Sequence, residues 1–328
     1  MATLTDNFYR GQLLERRQRL EAAIAEFEKT EHLVWLVQEI DSALERMDAG
    51  SYGLCEICHE PIEEDRLLGD PLLRNCLDHL TSDQRCALER DLDLTSRIQR
   101  RLLPRQNLSL NGWEVYYHYE PAGTVSGDYC DLVSPAAEAG ALFFILGDVS
   151  GKGVAASMLV AHLHALFRSL IAVGLPVNEL VERANRLFCE SVMPGHFATL
   201  VCGRAGVSGE VEVSNAGHCS PLWVQGGEVR GLESTGLPLG AICGGQYSTK
   251  TIQLNTGDSL VLYTDGLSEA RDRADAEYGA ARLSRLLRNH YALTAKALID
   301  ICLEDLTAFL SGARRTDDLT IMVIRRAE

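Results

Sequence analysis

Aspartates beside glycines, set at the ends of short apolar runs, constrain this chain more than any other feature. Asp128 stands in Ser126-Gly127-Asp128-Tyr129-Cys130-Asp131, and Asp148 follows the run 142–146 within Gly147-Asp148-Val149-Ser150-Gly151-Lys152-Gly153. Asp265 follows the run 259–263 within Thr264-Asp265-Gly266, and Asp317-Asp318 opens the last run, 319–324. An aspartate at the end of a buried strand holds its carboxylate at the rim of a rigid sheet, and a neighbouring glycine lets backbone or ligand come close. Any one such pair reads as a turn; four at strand ends read as a converging site. Carboxylates that converge without basic partners repel one another, and hard divalent cations relieve the repulsion. An all-oxygen set of this kind suits Mg2+ or Mn2+ rather than zinc. A P-loop is excluded, because only three residues separate Gly147 from Gly151 and Lys152 is followed by glycine.

A chain of 328 residues predicts two or more folding units. Beyond the runs already named, 115–119, 199–203, 211–214 and 221–224 read as strands, and 152–173, 177–193, 278–289 and 294–311 as helices. Strands and helices cluster instead of alternating, which predicts antiparallel sheets flanked by helices, an α+β class, and argues against a Rossmann sheet. Upstream, Leu13, Leu20, Ile24 and Phe27, then Leu33, Leu36, Val37, Ile40, Leu44 and Met47, recur at helical spacing. They predict one long helix or a helical hairpin, ended at Asp48-Ala49-Gly50 with Gly50 as cap. Ser82 or Asp83 is the expected cap of a further helix running to about Leu103, before Pro104. Its stripe of Leu88, Leu92, Leu94, Ile98 and Leu102 needs a neighbouring domain or a second copy of the chain to cover it.

Between these helical stretches lies Cys55-x2-Cys58, seventeen residues, then Cys76-x2-His79. Two knuckles so spaced let three thiolates and one imidazole close a tetrahedron around a structural zinc, whose binding would supply much of the folding energy of so small a segment. His59 and Cys86 lie nearby but outside the paired spacing. The remaining cysteines, Cys86, Cys130, Cys189, Cys202, Cys219, Cys243 and Cys302, are scattered and are read as small apolar groups rather than disulfides. A net charge of −15 argues against nonspecific nucleic-acid binding. The N-terminus has no apolar signal-like region, and the longest strongly apolar run, 141–146, is far short of a membrane span. The expectation is a cytoplasmic protein with neither membrane nor nucleic acid as partner.

Seven ordered motifs then carry a resemblance: Ser126-Gly-Asp-Tyr-Cys-Asp131, Gly147-Asp-Val-Ser-Gly-Lys-Gly-Val-Ala-Ala156, Phe197-Ala-Thr-Leu200, Asn215-Ala-Gly-His218, Leu237-Pro-Leu-Gly240, Leu262-Tyr-Thr-Asp-Gly-Leu-Ser-Glu-Ala270 and Asp317-Asp-Leu-Thr320. Together they resemble the SpoIIE/RsbU branch of the type 2C (PPM) protein phosphatases across about 94–326, beginning with the approach helix Leu94 to Pro104. The resemblance implies an αββα two-sheet sandwich and metal-dependent hydrolysis of phosphoserine or phosphothreonine. Asp148 would bridge two Mn2+ or Mg2+ ions. The Val149 carbonyl, Asp265 and Asp317 would hold one of them, Asp128 would serve the other directly or through water, and Asp318 would support the site beside Asp317. The cations would acidify the attacking water and neutralise phosphoryl charge. Eukaryotic relatives carry a histidine two residues after the bridging aspartate; here the position is Ser150, which leaves the leaving-group acid unassigned. His196 and His218 read as packed structural histidines, and Lys152 as a phosphate contact or a solvated loop lysine.

The segment 43–58 resembles the DksA/TraR zinc-finger family, with His79 where a fourth cysteine is usual. Fewer than fifty residues precede this finger, too few for that family's long coiled coil, so polymerase binding is not carried over. The expected layout is a helical segment at 1–50, a zinc finger at 51–82, a linker helix at 83–104 that pairs chains into a homodimer, and a phosphatase domain at 105–328. The resemblance implies a phosphorylated STAS (anti-anti-sigma) protein as substrate in a partner-switching pathway. The alternative is a zinc-finger transcription regulator with a non-catalytic phosphatase-like scaffold, in which one or more of the four aspartates should have been lost.

Overall fold

The computed structural model describes residues 4–26, 31–63, 66–67, 70–135, 138, 140–193 and 195–327. It divides into two compact units, Met1–Arg90 and Asp91–Glu328. In the first, α1 (Leu4–Glu26) and α2 (Glu31–Asp48) form the hairpin alternative of the sequence reading. Leu13 of α1 packs against Ile40 and Ala43 of α2; Phe27 lies outside the described residues. Gly50 takes φ +72°, and the Ser51 N–H closes on the Arg46 carbonyl at 2.9 Å, which ends the helix. The cysteine segment that follows has a core of Tyr9, Cys55, Ile62, Leu67 and Cys76.

The next helix, α3 (Ser82–Leu102), already includes Ser82 and Asp83, the two expected caps, as helical residues. Thr81 is the capping residue: its hydroxyl accepts from the Gln84 N–H at 3.2 Å, and the Gln84 side chain accepts from the Thr81 N–H at 3.1 Å. This reciprocal pair satisfies two otherwise orphaned donors; the side chains of the expected caps, Ser82 and Asp83, lie outside the described residues. Along α3, Leu88, Leu94 and Ile98 are exposed, while Leu92 and Leu102 are half-buried.

The second unit is two antiparallel sheets between two pairs of helices. Strands β1 (Asn107–Leu110), β2 (Trp113–Glu120), β7 (Leu222–Gln225), β8 (Glu228–Gly231), β10 (Ser259–Tyr263) and β11 (Leu319–Arg326) form one sheet in the order β1-β2-β11-β10-β7-β8. The other holds β3 (Asp128–Val133), β4 (Leu142–Val149), β5 (Ala198–Ala205), β6 (Glu210–Ala216) and β9 (Lys250–Gln253), in sequential order. The period-two alternation of a strand explains the layering. On β4, Leu142, Phe144 and Leu146 fill the core between the sheets with Leu260, Leu262, Met322 and Ile324. The intervening Phe143 and Ile145 face the other way, onto α4 (Gly153–Ile171) and α5 (Val177–Ser191). On the opposite side Val261, Tyr263, Ile321 and Val323 meet α7 (Ala280–His290) and α8 (Ala295–Leu310). Strands buried on both faces must be apolar throughout, which is why these runs were readable.

Two expectations are corrected. Helix α4 is long and apolar enough to cross a membrane by length and composition, although the sequence reading found no such segment. Here its Val160, Leu163, Phe167 and Ile171 are buried against the second sheet. Cys189 and Cys243, read as isolated apolar groups, form a disulfide with Cα atoms 5.6 Å apart. Asn185 of α5 brings them together: its amide donates to the Ile242 carbonyl at 2.9 Å, and its oxygen accepts from the Gly240 N–H at 2.9 Å.

Candidate active site

Asp128 and Asp148 are directly opposed in the β3–β4 register, so their side chains leave the same face of the second sheet. Asp265 opens the short helix α6 (Asp265–Ser268) directly after β10, and Asp317 lies two residues before β11, the neighbour of β10 in the first sheet. The carboxylates therefore come from the ends of two adjacent strands in each sheet. Hydrogen bonds join the sheets there. The Thr264 hydroxyl donates to Asp128 Oδ2 at 3.1 Å, and the Thr320 hydroxyl donates to the same oxygen. Asp318 spends both carboxylate oxygens on backbone, accepting from Ala122 N–H at 2.7 Å and Gly127 N–H at 2.8 Å, and so fixes the loop that leads into Asp128.

Two glycines make this approach possible. A Cβ on Gly266 would stand 1.9 Å from the Asp318 carbonyl oxygen, a distance no side chain survives. A Cβ on Gly127 would stand 3.1 Å from the Val149 carbonyl oxygen and 3.2 Å from Asp148 Oδ1.

The electrostatics follow from crowding. Burial, then the charges of Asp265, Asp317 and Asp318, push the Asp148 carboxyl up to about 7. Burial and the charge of Asp317 raise Asp265, with Glu269 adding to the rise. Burial raises Asp128 well above the usual carboxylate range, against the opposing pull of its Thr320 hydrogen bond. Among the described residues the cation in direct contact is Lys152, whose ammonium lies 3.1 Å from Asp317 Oδ2 and 2.9 Å from the Thr316 carbonyl. Such a set of hard oxygen donors, each disfavouring the ionisation of the next, fits divalent cations.

Residues 138–327 match the family described as Stage II sporulation protein E (SpoIIE). The chain belongs to the SpoIIE family. It is 26% identical to Protein IcfG of Synechocystis sp. over 72% of this chain and 41% of that one, and 23% identical to Phosphoserine phosphatase RsbU of Bacillus subtilis over 73% of this chain and 71% of that one. Thus the chain spans about two fifths of the length of the first relative. Its fold is similar to the RsbU and RsbW domains of Rv1364c from Mycobacterium tuberculosis, with a TM-score of 0.57 and 29% identity over 66% of this chain and 60% of that one.

A second cluster lies in the first unit. Potential ligand atoms of Cys55, Cys58, Cys76 and His79 all fall within 4.8 Å of one another. Cys58 Sγ is 3.8 Å from Cys76 Sγ, and His79 Nδ1 is 3.3 Å from Cys76 Sγ and 3.8 Å from Cys55 Sγ. A tetrahedron with zinc–sulfur bonds of about 2.3 Å has sulfur–sulfur edges of about 3.8 Å, so the donors present are compatible with zinc. Cys86 is exposed and, like His59, stands outside the cluster.

Several residues at the SpoIIE-type site gave no usable sequence signal. Thr264 and Thr320 lie inside the quoted motifs, but nothing in those motifs assigned either hydroxyl a role. Gln99 of α3 is buried and holds Ser126 from both sides, donating to its carbonyl at 2.7 Å and accepting from its N–H at 3.0 Å. Asp131, part of the first motif, stays out of the site: fully buried, it accepts a bidentate pair from Arg168 at 2.7 and 2.9 Å. The Ser150 hydroxyl accepts from the Phe197 N–H at 2.9 Å and pins the loop.

His218 is held by the Thr199 hydroxyl at 2.8 Å from Nδ1 and by two bonds with Asn215. Burial depresses its imidazole from 6.5 to about 4. The unfolded chain therefore binds a proton that the folded chain refuses, so this group's contribution is present above about pH 6.5 and lost as pH falls through about 4. Denaturant unfolding of wild type and His218→Gln across this range should show a steeper acid loss in wild type; parallel curves would contradict a buried neutral histidine.

Proposed function

We propose that this chain hydrolyses phosphoserine and phosphothreonine in proteins. The observation that carries the reading is the convergence of Asp128, Asp148, Asp265 and Asp317 from paired strand ends, with burial and neighbouring carboxylates disfavouring the ionisation of Asp128, Asp148 and Asp265. In this reading Asp148, the Val149 carbonyl, Asp265 and Asp317 would hold one Mg2+ or Mn2+, and Asp148 and Asp128 would hold a second. Asp318, whose oxygens are taken by backbone N–H groups, supports the loop at Gly127. Bound cations supply acidification of water and neutralisation of phosphoryl charge. Ser150 and His218 are not assigned the leaving-group proton, because one pins a loop and the other is neutral near pH 7. Residues 105–328 would be the catalytic domain, with 83–104 as linker helix, 51–82 as zinc finger and 1–50 as helical segment. The non-catalytic alternative predicts a lost aspartate, and none of the four is missing.

For the substrate we propose a phosphorylated STAS-type protein. Similarity to Phosphoserine phosphatase RsbU, and to a chain that carries RsbU and RsbW domains together, supports it. A folded partner adds contacts away from the phosphate that can raise catalysis as well as binding. Purified full-length chain should release phosphate only with Mn2+ or Mg2+, and EDTA should abolish it. Asp148→Asn or Asp265→Asn should lower turnover by several orders of magnitude, and a STAS phosphoprotein should exceed a peptide of the same phosphosite in kcat/KM. Metal-independent turnover removes the phosphatase mechanism; equal efficiency on both substrates removes only the STAS assignment.

The Cys55, Cys58, Cys76 and His79 cluster would hold one structural zinc, in a DksA/TraR-like finger whose role is structural or protein-contacting. Elemental analysis of reduced, chelator-free protein should find one zinc per chain, and Cys58→Ser should lose it; a zinc-free wild type contradicts the site. We also propose that a second copy covers Leu88, Leu94 and Ile98 of α3. Light scattering should then give twice the 36.1 kDa chain mass, with Leu92→Asp and Ile98→Asp shifting it toward one; a monomeric wild type at micromolar concentration removes the dimer.

A further inference from the structure

A cavity of about 340 Å³ opens beside the carboxylate cluster and shares Asp265 and Asp317 with it. Its other wall is the loop between α8 and β11 and the turn that follows α6. Most charges there are already engaged. Arg271 pairs with Asp275 at 3.2 Å and with Glu277. The Asp272 carboxylate accepts from the Ala274 and Ala276 N–H groups at 2.8 and 3.0 Å. Arg315 folds back onto Glu120 through Nη2, while its Nη1 is buried with no hydrogen-bond partner among the described residues. Arg314 is exposed and, among the described residues, has neither an ion pair nor a side-chain hydrogen bond.

We propose that Arg314 is a specificity-determining residue, whose guanidinium binds a carboxylate side chain next to the phosphorylated serine or threonine of the substrate. This rests on the phosphatase reading above. With the phosphoryl group at Asp148, Asp265 and Asp317, the flanking substrate segment runs into the cavity that continues from Asp265 and Asp317. The phosphoryl charge is met at the cluster itself, where Lys152 sits on Asp317. Arg314, three residues upstream, is left to an anion farther along the chain. A planar guanidinium takes a carboxylate through two parallel hydrogen bonds. The chain carries a net charge of −15, which disfavours extended acidic partner surfaces, so the arginine of this cavity left unpaired among the described residues selects a single local acidic side chain.

The test uses full-length protein with Mn2+ and two phosphoserine peptides, one flanked by Asp or Glu and its twin by Asn or Gln. Wild type should show a KM lower by about fivefold to tenfold for the acidic peptide. Arg314→Ala should bring the ratio of the two KM values toward one, Arg314→Lys should restore part of it, and Arg314→Glu should invert it. Taking the ratio cancels any general loss of activity. A ratio unchanged in Arg314→Ala overturns the proposal. So does a loss of equal size on p-nitrophenyl phosphate, which has no flank and would make the phosphoryl group itself the anion. The same contrast, read as Kd by peptide fluorescence anisotropy on the Asp148→Asn chain, separates the two readings. A Kd contrast without wild-type turnover keeps the Arg314 site and removes the phosphatase, whereas turnover without any contrast does the reverse.

Discussion

The second unit is organised around one buried carboxylate. Asp128 sits on the second sheet, yet its partners, the hydroxyls of Thr264 and Thr320, belong to the end of β10 and to β11 in the first. A carboxyl buried without partners costs several kcal/mol or stays protonated. Burial does raise Asp128, and the two threonines are what make its position tenable. Because those hydroxyls come from the strands that also carry Asp265 and lead out of Asp317, the same bonds set the spacing between the two halves of the site. Asp318 adds a second tie across the gap by holding the Ala122 and Gly127 N–H groups. The rim is therefore rigid before any ligand arrives, as a site that must place charge within fractions of an ångström requires.

Rigidity of this kind needs backbone close to backbone, and the glycines of the motifs are there for that. Gly266 lies under the Asp318 carbonyl, with no room for even a methyl group. Gly127 lies against the Val149 carbonyl and the Asp148 carboxylate. The Asp-Gly pairs that read individually as turns are, in the fold, close contacts between neighbouring strand ends within each sheet. The aspartates supply the charge and the glycines let opposed strand ends approach closely enough to concentrate it.

What could be read from the sequence follows from whether a signal is local. Strands β4, β10 and β11 were legible because burial on both faces leaves continuous apolar runs. β1, β8 and β9 were not, since they are short and carry exposed polar side chains at or near sheet edges. β3 escaped for another reason: Asp128 and Asp131 break its apolar run, and both are buried only because Thr264, Thr320 and Arg168 arrive from elsewhere. The Cys55 to His79 cluster was legible because both halves of its ligand set are spaced within single turns. Gln99, the Cys189–Cys243 pair and the cavity that Arg314 shares with Asp265 depend on residues tens of positions away, and no short window of sequence contains them.

The two proposed metal centres use similar physics for opposite ends. The first unit has little core of its own: Tyr9, Ile62 and Leu67 around the cysteines, and Leu13, Ile40 and Ala43 between the helices. A zinc bound by thiolates there adds directly to the free energy of folding, because the unfolded segment has no formed site. The second unit has three extensive apolar layers and can bear a cluster that, without cations, works against the fold. A carboxyl pushed up to about 7, as Asp148 is, releases its proton in the folded state less readily than in the unfolded one. Its contribution is complete below the ordinary carboxylate range and disappears as pH rises through about 7. A centre assembled from like charges is therefore a local weakness near neutral pH that cation binding would offset, and the large core is what allows the chain to keep it preformed.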